Sequence, residues 1–283
     1  MFAYCSALGL LLAAALAPAR DKLRDALEAG RLNDAAKLLA RAEQAERLVL
    51  SEPAIRALLT IDAAQLGRLQ RALREVHPAH RRVLHLLNGL DAHRHKDARR
   101  AVEQFGVLVK DPALGRFVLG MFGRDAMQLC RAGDPLGVTA LDRLRAIYPR
   151  AAWAVANLAL GLRLVGRYAD AHAAYTKVLG FAGRKAWVLN DLGLLHQAEG
   201  HYARALALFQ EGADLPGDVG AADTCRGNAA MLFLRRDDPG DVARARTLLA
   251  QVVARDPTRV RSAYWLAQLR RPGGLLPNGR RQR

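Results

Sequence analysis

Residues 153–186 read WAVANLALGLRLVGRYADAHAAYTKVLGFAGRKA, and residues 187–212 begin the same text again as WVLNDLGLLHQAEGHYARALALFQEG. At an offset of 34 residues Trp153 answers Trp187, Leu158-Ala159 answers Leu192-Gly193, and Gly166-Arg167-Tyr168 answers Gly200-His201-Tyr202. Ala171 falls on Ala205 and Tyr175 on Phe209 at the same spacing. A fixed period of this size marks a repeat architecture, in which a unit too small to bury its own apolar face stacks on its neighbours.

Within the first copy Val155, Leu158, Ala159 and Leu162 stand at helical spacing, followed by Ala171, Ala174, Tyr175, Val178 and Leu179 on a second helix. Gly166 between them suits a tight helix end that a Cβ would oppose. Small Ala159 and Ala171 allow the two backbones to approach, and Tyr175 fills the space beyond. The expected fold is therefore all-α, a superhelical α-solenoid of antiparallel helix pairs with no significant β-sheet.

Outward from this core the pattern weakens but persists. Residues 20–29 and 33–47 flank Gly30-Arg31-Leu32-Asn33, with Asn33 or Asp34 expected to cap the second helix. Further helices are predicted at 52–59, 62–75, 79–92, 96–109, 114–131 and 135–148. Asp97-Ala98 is matched to Asp170-Ala171, while His93-Arg94-His95 stands where a glycine turn is expected. After the clear copies come helices at 219–235 and 241–254, joined by a longer turn, and a last helix at 260–269. This divides the chain into degenerate repeats over 20–150, clear repeats over 151–270 and a basic Gly/Pro-rich tail at 271–283, expected to be disordered.

The first 19 residues are uncharged and apolar and end Ala17-Pro18-Ala19, the pattern of a secretory signal peptide cut after Ala19. No Lys or Arg precedes the apolar run, so a buried first helix stands as the alternative. The first reading implies export to a periplasmic or extracellular compartment, the second a cytoplasmic chain.

A hydrophobic content of 51% with only 6% aromatics suits close-packed helices. The formal charge of +16 favours anionic partners in general, but nearly all of it is Arg spread along the chain, so it selects no class of partner. Cys5, Cys130 and Cys225 form no metal or disulfide framework, and the last two read as small buried hydrophobes.

With its small residue in each helix, Gly before an aromatic at the turn and Pro near the unit's end, this text resembles the tetratricopeptide repeat (TPR) family. The resemblance is strongest over 152–213, extends over 218–270 and fades before 150. It implies a protein-interaction scaffold whose first helices line a concave groove for a partner peptide or helix. The RNA-binding pentatricopeptide family is the nearest competitor, and its longer unit disagrees with the 34-residue spacing.

On that resemblance the groove would receive Trp153, Arg163, Trp187, Asn190, Arg261 and Tyr264, with Arg184 and Lys185 at the entrance to the second clear repeat. Aromatic surface beside guanidinium groups suits a partner segment bearing Asp, Glu or a terminal carboxylate. The same two tryptophans would also satisfy a packing role between helices. The Lys/Asn clamp by which some members hold chaperone tails is not matched, since Ala156, Leu160 and Leu194 accompany Asn190.

His77, His80, His85, His93 and His95 match no metal-site spacing, and no metal ligand or cofactor is expected. No phosphate loop or catalytic triad pattern occurs, and Asp191, Glu199 and Glu211 read as solvated helix positions. The leading expectation is a non-enzymatic scaffold for an acidic partner. The alternative is a helical repeat holding RNA or DNA through its Arg surface.

Overall fold

The computed structural model describes residues 22–44, 52–76, 81–109 and 116–271. The expected leader, the tail beyond residue 271, and His77 and His80 lie outside them. Every regular element among the described residues is a helix, as the composition required. They fall into two compact units divided between Pro149 and Arg150. No helix among them is long and apolar enough to cross a membrane.

The first unit contains α1 (22–28), α2 (Leu32–Gln44), α3 (Glu52–Thr60), α4 (Ala63–Val76), α5 (Arg81–Arg94), α6 (Ala98–Leu108), α7 (Arg116–Arg131) and α8 (Pro135–Ile147). The second contains α9 (Ala152–Leu164), α10 (Tyr168–Ala182), α11 (Ala186–Ala198), α12 (Tyr202–Asp214), α13 (Val219–Arg236), α14 (Asp241–Arg255) and α15 (Val260–Arg270).

In the second unit α9 packs on α10, α11 on α12 and α13 on α14, and each second helix also touches the first helix of the next pair. Successive first helices meet as well, α9 with α11 and α11 with α13. Several of the residues that repeat in the sequence are buried in this packing. Ala159, Ala171, Tyr175, Ala205 and Phe209 are all fully buried. A Cβ added to Gly193 would lie 2.5 Å from the Phe209 ring, so only glycine lets α11 lie this close to α12.

The first unit repeats this geometry more widely than its sequence suggests. A Cβ on Gly89 would also stand 2.5 Å from a ring, that of Phe105. Gly89, Ala101 and Phe105 keep the internal spacing of Gly193, Ala205 and Phe209. The equivalent of Asp170-Ala171 is thus Arg100-Ala101, correcting the match to Asp97-Ala98. Asp97 instead sits at the helix boundary, where its side chain accepts a hydrogen bond from the Arg100 amide.

The turns explain the discrepancy. Gly30, Lys96, Gly133, Gly166 and Gly200 all take positive φ, between 60° and 81°. At each, the next amide reaches back to the carbonyl five residues before it: Arg31 to Ala26, Asp97 to Ala92, Asp134 to Leu129, Arg167 to Leu162 and His201 to His196, at 2.8–2.9 Å. This closes the helix with a Schellman motif. Lys96 occupies a position that glycine fills in the other four, so the sequence reading set the turn at 93–95, just ahead of it.

Two local expectations fail. Asn33 and Asp34 lie inside the first turn of α2, which starts at Leu32, so neither is its cap. α3 and α4 do not form a packed hairpin: α4 lies on α2, and α3 on α5. Asp62 starts α4 with a reciprocal capping box, its carboxylate accepting from the Gln65 amide at 2.6 Å while its own amide donates to Gln65 at 2.9 Å.

Candidate functional site

The candidate surface lies on the first helices of the second unit. A polar row begins on α11, where the Asn190 amide donates to Asp191 at 3.2 Å and its carbonyl accepts from Asn228 on α13 at 2.8 Å. Asn190 therefore joins two helices. Asp191 is only partly exposed and not a solvated position: burial raises its pKa, opposed by the Asn190 hydrogen bond and the Arg163 charge. Half-buried Arg163 has its Nε enclosed without a hydrogen-bond partner.

Trp153, Arg184, Lys185, Arg261 and Tyr264 are exposed, and Trp187 is half-buried. Arg184 is already engaged, since its Nε and Nη2 donate to Glu211 at 2.6 and 2.5 Å. That hydrogen bond holds the Glu211 carboxyl below its usual range. The pair bridges the start of the second clear repeat to α12.

One concavity of this surface lies between α13 and α15, a cleft of about 230 Å³ with Asn228, Met231, Leu249, Arg261 and Trp265 among its walls. Of the residues singled out by sequence, it contains Arg261, and Tyr264 reaches it indirectly by an edge-to-face contact on Trp265 at 5.2 Å. Trp153, Arg184, Lys185 and Trp187 do not line it.

Charge in this region is ordered around Asp223, which is buried and accepts from Arg226 at 2.8 Å and Arg255 at 2.6 Å. Arg259 donates to the Thr224 hydroxyl and the Gly220 carbonyl, both at 3.1 Å. Arg261 makes no hydrogen bond or ion pair to the described residues. The rim is left with more cation than anion. Asp223 and Asn228 on α13 and Trp265 on α15 were missed by the sequence reading, because residues from separate helices meet only in the folded chain.

A second constellation joins the clear repeats. His172 on α10 approaches His196 and Glu199 at the end of α11, with Glu199 Oε2 2.9 Å from His172 Nε2. Burial would raise the Glu199 carboxyl, but the His172 hydrogen bond and the charges of His172, His196 and His201 together carry it below its usual range. Burial, then the His172 charge, lowers the His196 pKa and favours neutral imidazole. Glu199 is thus no solvated position. Its partners come from two hairpins, so spacing along the chain could not announce them.

Cys130 and Cys225 are fully buried, and burial pushes both thiols up to about 11, which leaves them as inert packing groups. Comparison of the chain with protein-family models and with curated proteins returns no match.

Proposed function

We propose that this chain is a TPR-like interaction scaffold, a right-handed superhelical solenoid that holds an acidic segment of a partner protein without performing chemistry of its own. The observation that carries the reading is the cleft between α13 and α15, where Arg261, which pairs with no group among the described residues, shares the walls with Trp265 and the apolar side chains of Met231 and Leu249. A carboxylate can pair with the guanidinium while its neighbouring side chain covers the indole. Support for the family comes from the 34-residue text and from the hairpin geometry shared by Gly193/Phe209 and Gly89/Phe105.

The competing use of the positive charge is nucleic-acid binding. Arg184, Arg226, Arg236 and Arg255 are turned onto acidic groups of the chain itself, which favours the narrower, protein-directed reading. The proposal includes export, with cleavage after Ala19, and the first residue of the mature protein in its own host tests that part.

Selection of a random peptide library on the full chain tests the binding mode. The expected outcome is enrichment of Asp/Glu-bearing peptides whose binding falls at least about tenfold with Arg261→Glu, the loss of one charge-assisted contact. Enriched peptides without acidic bias, or binding indifferent to Arg261→Glu, would overturn it. Retention on RNA or DNA with steep salt dependence would support the alternative.

A further inference from the structure

The two clear repeats part company at four chemically distinctive positions. Where one copy has His196, Glu199 and His201, the other has Leu162, Val165 and Arg167, and His172 is answered by Leu206. These substitutions converge in space. Glu199 Oε2 lies 2.9 Å from His172 Nε2, 3.3 Å from His196 Nδ1 and 3.6 Å from His201 Nδ1. The His172 and His196 rings are 5.0 Å apart, and those of His196 and His201 5.9 Å.

His196 Nδ1 is buried and has no hydrogen-bond partner, although a carboxylate and a second imidazole stand beside it. An enclosed ring nitrogen left unmatched costs free energy, and the preceding repeat meets the same position with plain leucine. A cation at the centre removes that cost by using the nitrogen lone pair. His172, His196 and Glu199 each offer one ligand atom, all within 4.8 Å of one another. Zinc, with bonds of about 2.0–2.2 Å to nitrogen and oxygen, sets tetrahedral ligand atoms about 3.3–3.5 Å apart, so the contacts at 2.9 and 3.3 Å require only a slight widening.

We propose that His172, His196 and Glu199 bind one divalent transition-metal ion, zinc by ligand type, with His201 within reach of the fourth position. Two imidazoles and one carboxylate suit zinc, whereas magnesium and calcium require oxygen-rich shells. The side chains of His172, His196 and Glu199 keep 35%, 12% and 16% of their surface exposed, so an ion can enter from solvent. Bound there, it clips α10 to the end of α11 and so fastens one hairpin to the next. The site is independent of the peptide-binding reading, because it lies on other residues and has a readout of its own.

The test is titration of the chelator-stripped full chain with zinc by calorimetry and with cobalt by visible absorption. One equivalent is expected, with a tetrahedral cobalt spectrum and a melting temperature that rises with zinc concentration. His196→Leu copies Leu162 of the neighbouring repeat, and Glu199→Gln keeps the side-chain shape; each should weaken zinc at least about tenfold. Metal-free melts of both variants report that they are folded. Absence of stoichiometric binding at micromolar zinc, or parent affinity in folded His196→Leu, would overturn the site.

Discussion

Tyr175 shows how far a single residue's role can be read. Its repeat partner Phe209 marks it as core, and both are fully buried. Its hydroxyl, however, has no hydrogen-bond partner among the described residues. An unsatisfied buried hydroxyl costs about 1–3 kcal/mol, so Tyr175→Phe should stabilise the chain by about 1 kcal/mol in chemical denaturation. A loss of that size would show that the hydroxyl is satisfied. At Gly193 the sign reverses. The Cβ of Gly193→Ala meets the enclosed Phe209 ring at 2.5 Å, and overpacking should cost about 1–3 kcal/mol despite alanine's better helix propensity. Phe209→Leu in the same chain should recover part of the loss, and additive losses would contradict the register. Ala171 and Ala205 were legible as close contacts because small residues recurred at a fixed spacing. His196 and Glu199 were not, since their partner His172 belongs to the preceding hairpin.

The helical elements were legible where punctuation was conventional. Pro135 after Asp134 announced α8, and the Asp134 carboxylate does accept from the Leu136 amide at 3.0 Å. Lys96 broke the convention by entering the left-handed region at φ 60°, and the hairpin of α5 and α6 was therefore placed in the wrong register. Relief of this strain predicts that Lys96→Gly raises stability by about 1 kcal/mol; unchanged or lower stability would show the lysine to be accommodated.

The longer turn between α13 and α14 is held differently. Arg236 donates to both carboxylate oxygens of fully buried Asp241 at 2.8 Å, and the Asp238 amide adds a bond at 3.2 Å. The Arg236 hydrogen bonds hold the Asp241 pKa below its unfolded value, despite burial acting in the opposite direction. Its contribution is thus present above the ordinary aspartate range, about pH 4, and is lost as pH falls through the lower folded value. Asp241→Asn should be destabilised at neutral pH, and its deficit relative to the parent should close under acid. A deficit constant across that range would contradict the ion pair.

At the scale of the molecule, the periodicity foretold an all-helical chain and adjacent packed pairs, because stacking is written in small and large residues that every copy needs. On the proposed function, partner choice would be written in residues the copies do not share. Asn190 was singled out for a partner and is occupied by Asn228 and Asp191, while Arg184 is occupied by Glu211. Arg261 makes no hydrogen bond or ion pair to the described residues, which leaves it to the proposed partner, and Trp265 in the same cleft was not foreseen. The net charge of +16 could serve either an acidic protein or a nucleic acid, so local geometry has to separate them. The most direct measurement is the affinity of the full chain for a selected Asp/Glu-bearing peptide, taken for the parent, Arg261→Glu and His196→Leu. A loss of at least about tenfold in Arg261→Glu, with His196→Leu unchanged, is the predicted result; equal affinity in the parent and Arg261→Glu would contradict the assignment of the cleft as the partner site.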